Sequence, residues 1–111
     1  MNPEAIVVLT TVQKRQEAET LAGKIIEAKL AACVQVLPPM MSFYFWENRI
    51  QADSEHLLLI KTLAGKYDEL EKFIQANHNY DVPEIVALAA ERISDSYLGW
   101  IENYISVKSE N

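Results

Sequence analysis

The sequence predicts an α+β chain in which strands and helices follow one another as β-α-β-β-α-β, with one more helix at the end. Three observations carry that expectation. Apolar runs rich in β-branched and aromatic residues recur at 5–9, 32–37, 42–46, 56–62 and 85–90. Two stretches between them, 13–29 and 65–77, place apolar residues at three- and four-residue spacing. The chain is 111 residues long, 50% hydrophobic and 23% charged, which is enough for one buried core and too little for two. It reads as a single domain over residues 1–111.

Each element has its own reason. Ala5-Ile-Val-Val-Leu9 is a continuous apolar run and reads as a strand buried on both faces. Ala18, Leu21, Ala22, Ile25 and Ile26 form the apolar stripe of the first helix. Gly23 inside it costs roughly 1 kcal/mol against Ala, a cost expected to be offset by close approach to the sheet. The strand at 32–37 stops at Pro38-Pro39, which cannot continue a ladder. Ser42-Phe-Tyr-Phe-Trp46 resumes as strand, Glu47-Asn48-Arg49 turns with Asn48 left-handed, and 50–52 with 56–62 return, making a long hairpin. The second helix carries Tyr67, Leu70, Phe73, Ile74 and Asn77 on one stripe, with Asp68 and Glu69 near its positive end. Pro83 holds Val82 extended, 85–90 is an apolar strand, and Ser94 caps a last helix bearing Tyr97, Leu98, Ile101, Tyr104 and Ile105. This order is the ferredoxin-like split β-α-β pattern. Right-handed crossovers place both main helices on one face of the sheet. The other face is left bare and apolar, which predicts a partner surface, most simply another copy of the chain.

Composition narrows the function. Ten Lys+Arg against sixteen Asp+Glu leave a net charge of −6, which argues against nucleic acid or an anionic membrane as partner. The aromatics at 43–46 therefore read as packing rather than base-stacking. The lone Cys33 permits no intrachain disulfide, as in a reducing compartment, and the basic stretch of a signal peptide is missing from 1–4. The charge-free stretch 30–46 is shorter than the ~20 residues of a spanning helix. A cytoplasmic protein is the resulting expectation. Phosphate loops, nucleophile elbows and His-Glu-x-x-His motifs are missing, so the chain does not read as an enzyme.

An ordered set of short motifs goes further. Ala31-Ala-Cys33-Val34, Ser42-x-Tyr44-x-Trp46, Glu55, Lys61-Thr62, His78-x-Tyr80-x-x-Pro83-Glu84 and Tyr97-Leu98-x-Trp100-Ile101 together resemble the CutA family of divalent-ion tolerance proteins. The resemblance covers nearly the whole chain. It implies a ferredoxin-like protomer in a tight homotrimer with the architecture of the PII signalling proteins, a role in copper tolerance, and divalent copper as a possible ligand with no cofactor required. Carried over by position, the family's ligand set falls on Thr10, Asn77 and His78, where His78 is the one good copper ligand left. Cys33 lies in a region the family associates with soft metals. Its bland reading is a buried, inert thiol.

The remaining candidates have structural readings beside the functional ones. Lys61, Tyr80 and Glu84, walled by Trp46 and Trp100, could line an inter-subunit cleft for a small polar ligand, as in a PII-like sensor. A Lys61–Glu84 pair could equally be a structural ion pair fixing an interface. His78 could simply end its helix, and His56 reads as a surface or interface residue.

Overall fold

The structure is a computed structural model and describes residues 4–106. In chain order it contains β1 (Ala5–Val12), α1 (Arg15–Glu27), β2 (Cys33–Val36), β3 (Met40–Trp46), β4 (Arg49–Leu63), α2 (Tyr67–Ala76), β5 (Val86–Ala89) and α3 (Asp95–Ser106). A short 3-10 turn, Ala64–Lys66, leads into α2. The sheet order is β2-β4-β1-β5, with every neighbour antiparallel. β4 therefore lies between β1 and β2, the split that the element order predicts. β3 pairs with the first half of β4, from Met40 opposite Glu55 to Trp46 opposite Arg49.

Strand alternation sorts the side chains. Ile6, Val8 and Val12 of β1 and Leu58 and Ile60 of β4 share one face. Ala18, Leu21 and Ile25 of α1 and Leu70 and Ile74 of α2 pack on that face, so both helices lie on the same side. Full burial of each large aliphatic stabilises by about 1.5–3 kcal/mol. On the opposite face Cys33, Lys61, Val7 and Leu88 form one row, and Gln35, Leu59, Leu9 and Val86 the next. Here Val86 and Leu88 are 45% and 51% exposed, while Val7 and Leu9 are half-buried. The expected burial of the first strand on both faces is thus complete only on the helix side.

α3 covers just one end of this second face. Its Ile101 and Ile105 pack with Ala32, Leu63 and Ile93. The end of α1 holds it there. Leu30 N–H donates to Ile25 O at 3.2 Å and Lys29 N–H to Ile26 O at 3.0 Å, a Schellman closure with Lys29 at φ 59°. The Lys29 ammonium then sits 3.7 Å from the centroid of the Tyr104 ring.

Several expectations are corrected. Gly23 does not approach the sheet; it is exposed, and a Cβ there would meet nothing within 4 Å. His56 is 7% exposed rather than on the surface, with Nδ1 donating to Leu37 O at 2.9 Å. Cys33 is half-buried rather than sealed. The hairpin turn takes positive φ at Glu47 (50°) as well as at Asn48 (66°), because a two-residue type I′ turn needs both to match strand twist. The hairpin carries Phe43 at 72% and Ile50 at 77% exposure.

Candidate functional site

The α2–β5 loop is where the chain concentrates polar geometry. α2 ends at Asn77, whose Nδ2 donates to Phe73 O at 2.8 Å. The next residue, His78, turns inward. Its Nε2 donates to the carbonyl of Thr11 at 2.6 Å, and its Nδ1 accepts the Tyr80 backbone N–H at 3.1 Å. A carbonyl can only accept and an amide N–H can only donate, so the partners select the Nε2–H tautomer. Both ring nitrogens are engaged by backbone.

Tyr80 then crosses to the base of the hairpin. Its hydroxyl donates to Glu55 Oε2 at 2.7 Å, and Glu55 is only 8% exposed. Burial, then the Glu55 hydrogen bond and charge, push the Tyr80 phenol well above its ordinary range. Two residues along β4 from Glu55, Tyr44 donates to Asp53. Its phenol is raised as well, first by that hydrogen bond and then by desolvation. Both tyrosines are therefore neutral donors that satisfy carboxylates. The loop is fastened to β1 through His78 and to the hairpin through Tyr80.

The family-implied metal positions do not assemble into a chelating set. Thr10 is fully buried in the sheet, with its hydroxyl facing no hydrogen-bond partner among the described residues. Asn77 is held by Phe73 and by Lys24. Among the described residues, no group of three or more His, Cys, Asp or Glu side chains is placed to hold a metal ion.

The proposed cleft set is also dispersed within one chain. Lys61 stands on the bare sheet face with its ammonium 5.5 Å from the centroid of the Tyr97 ring, which stacks on Trp100. Glu55, the partner of Tyr80, is six residues back along β4, about 20 Å away at strand rise. Trp46 lies about as far again, at the hairpin turn, and is 48% exposed. Glu84 is exposed ahead of β5, and Lys61 has no carboxylate partner among the described residues. Only a second chain could bring these groups together.

Beside the loop lies a cavity of about 370 Å³ between α1 and residues 77–80, with Lys14, Glu17 and Lys24 in its walls. No motif in the sequence points to it. Its signal was present, since Lys14, Glu17, Leu21 and Lys24 recur at helical spacing along one side of α1. What the sequence could not supply is the loop that closes the other wall. Glu55 likewise stands in the sequence as part of a motif that names no partner for it.

Comparison with known proteins agrees with this architecture. "Protein CutA, chloroplastic" of Arabidopsis thaliana is 46% identical over 99 residues, 89% of this chain and 54% of its own length. The chain thus spans about half the length of that relative. The divalent-cation tolerance protein CutA of Thermus thermophilus is 41% identical over 95 residues, 86% of this chain and 92% of the relative. A crystal structure of CutA1 from Oryza sativa superposes with a TM-score of 0.90 at 44% identity, covering 92% of this chain and 94% of that one. Residues 6–104 match the family described as CutA1 divalent ion tolerance protein, and the chain belongs to that family.

Proposed function

We propose that the protein acts as a non-enzymatic homotrimer in divalent-cation tolerance, with copies packed through the bare sheet face and with weak metal contacts. The observation that carries this reading is the uncovered apolar surface. Val86, Leu88, Phe43, Phe45 and Ile50 are 45–77% exposed in the single chain, and they lie on one sheet and its hairpin. Val86 and Leu88 share the bare face, whereas Phe43, Phe45 and Ile50 alternate to the other side of the projecting hairpin, and exposed apolar side chains on both are what an interface between copies buries. The trimer number and the copper connection come from the family resemblance. Weak metal contact is supported by the engagement of both His78 nitrogens, because a metal would have to displace a backbone hydrogen bond to reach the ring.

Sedimentation equilibrium at micromolar concentration tests the assembly. The expected species has three times the 12.6 kDa chain mass, and a monomer overturns the reading. Calorimetric titration with Cu²⁺ tests the metal contact. Weak binding that disappears in His78→Ala is expected. Tight stoichiometric binding that survives the substitution would place the metal elsewhere.

One observation favours a second, PII-like reading in which inter-subunit clefts take a small polar ligand. Covering the sheet face would bury the Lys61 ammonium, and a buried cation needs an anion beside it. That anion is either Glu84 of a neighbouring copy or a ligand. A melting-temperature screen of acidic metabolites on the parent and on Lys61→Met separates them. A shift seen only in the parent supports the ligand.

A further inference from the structure

The cavity between α1 and the α2–β5 loop occupies the place where the family resemblance puts metal ligands, yet its chemistry is that of a site for negative charge. Lys14 and Lys24 both stand in its walls. Among the described residues the ion pairs are Arg15–Glu19 and Lys66–Glu69, so neither lysine is neutralised by a carboxylate. The one acid in the walls, Glu17, is already committed. Its Oε1 accepts the Lys14 backbone N–H at 3.1 Å and its Oε2 accepts the Asn79 amide. Lys24 makes a single long contact, 3.5 Å to Asn77 Oδ1, which leaves ammonium hydrogens available. Thr20, one helical turn before Lys24 on α1, adds a hydroxyl on the same side.

A divalent cation entering here would meet ammonium charge and no free carboxylate, thiol or ring nitrogen. An oxyanion would meet donors. The volume, about 370 Å³, falls within the range of small-ligand sites. The cavity lies on the helix side of the sheet, opposite the bare face. We infer that this cavity takes a small anion, a carboxylate- or phosphate-bearing molecule anchored at Lys24, in preference to a divalent cation. The ammonium supplies a charge-assisted hydrogen bond, while Thr20 and the Asn79 side of the loop orient the remainder of the ligand. The inference goes beyond the proposed trimeric role and does not depend on it.

The test is calorimetry together with ¹⁵N amide NMR on the full chain, using inorganic phosphate and citrate as separate probes. Saturable binding of at least one probe at millimolar concentration is expected, with shifts at Thr20, Lys24 and Asn79. Phosphate alone or citrate alone identifies which oxyanion the site prefers. Lys24→Gln, an exposed substitution on a helix, should weaken binding about tenfold or more. Lys61→Met, on the opposite face, should leave it unchanged, which separates this site from the inter-subunit cleft. Three results would overturn the inference. These are no saturable binding of either probe, equal affinity in parent and Lys24→Gln, or tight stoichiometric Cu²⁺ binding that displaces both probes.

Discussion

Thr10 and Thr62 face the same core, yet they solve the problem of a buried hydroxyl differently. Thr62 Oγ1 donates to Leu30 O at 2.7 Å, whereas Thr10 Oγ1 has no partner among the described residues. A buried polar group left unsatisfied costs about 1–3 kcal/mol. Thr10→Val keeps the shape and removes the group, so urea denaturation should show stability equal to or up to about 2 kcal/mol above the parent. A clear loss would mean that the hydroxyl has a partner. Tyr80 makes the opposite case. Its pKa is raised in the native state, so the native form holds the phenol proton more tightly than the unfolded chain does. That contribution to stability is fully present below the unfolded value of about 10 and is lost as pH rises through the folded value. Stability should therefore decline above about pH 10, and Tyr80→Phe should flatten part of that decline. Tyr44 and Tyr67 are raised too and leave a residual slope. The same substitution strips Glu55 of its donor and should cost about 1–3 kcal/mol at neutral pH. Identical alkaline slopes in parent and variant would remove Tyr80 from this role.

Helix α1 shows what periodicity can and cannot tell. The buried stripe Ala18, Leu21, Ile25 is the one the spacing predicts. Gly23 was expected to touch the sheet, but at about 100° per residue it lies about 200° from both Leu21 and Ile25 and so points outward. The helical wheel already contained that answer. Gly23→Ala should raise stability by about 1 kcal/mol, read as a higher urea midpoint at unchanged slope. Destabilisation would mean that another chain packs closely against α1. The turn at 47–48 was half legible. Asn48 advertises a left-handed conformation through its side chain, whereas Glu47 does so only because the two-residue loop demands it.

The molecule is elongated, 46 × 34 × 24 Å, since the hairpin projects from a core built on only one face of the sheet. A single chain of this shape leaves Leu9, Leu59, Val86 and Leu88 without a complete covering. Leu59→Asp places a charge in the middle of that face without touching the helix-side core. Sedimentation should show dissociation of the assembly while the far-UV spectrum of the fold is kept. Parent and variant sedimenting alike as trimers would place the interface elsewhere.

Local pattern alone located the strands, the two amphipathic helices, the proline stop and the Ser94 cap, and the order of those elements with right-handed crossovers implied the bare sheet face. The elements themselves rest on neighbours within a few residues, where period and propensity act directly. The site depends on contacts far apart in sequence. His78 is tied to Thr11, Tyr80 to Glu55, and the cavity wall on α1 to Asn79. Whether an imidazole is free for a metal or spent on backbone depends on which carbonyl the fold brings to it. A Lys-flanked groove likewise becomes a cavity only when a loop some 60 residues away closes over it. The residues supplied the chemical groups, and the tertiary structure decided which of them remain unpaired, because pairing is a property of distance in space.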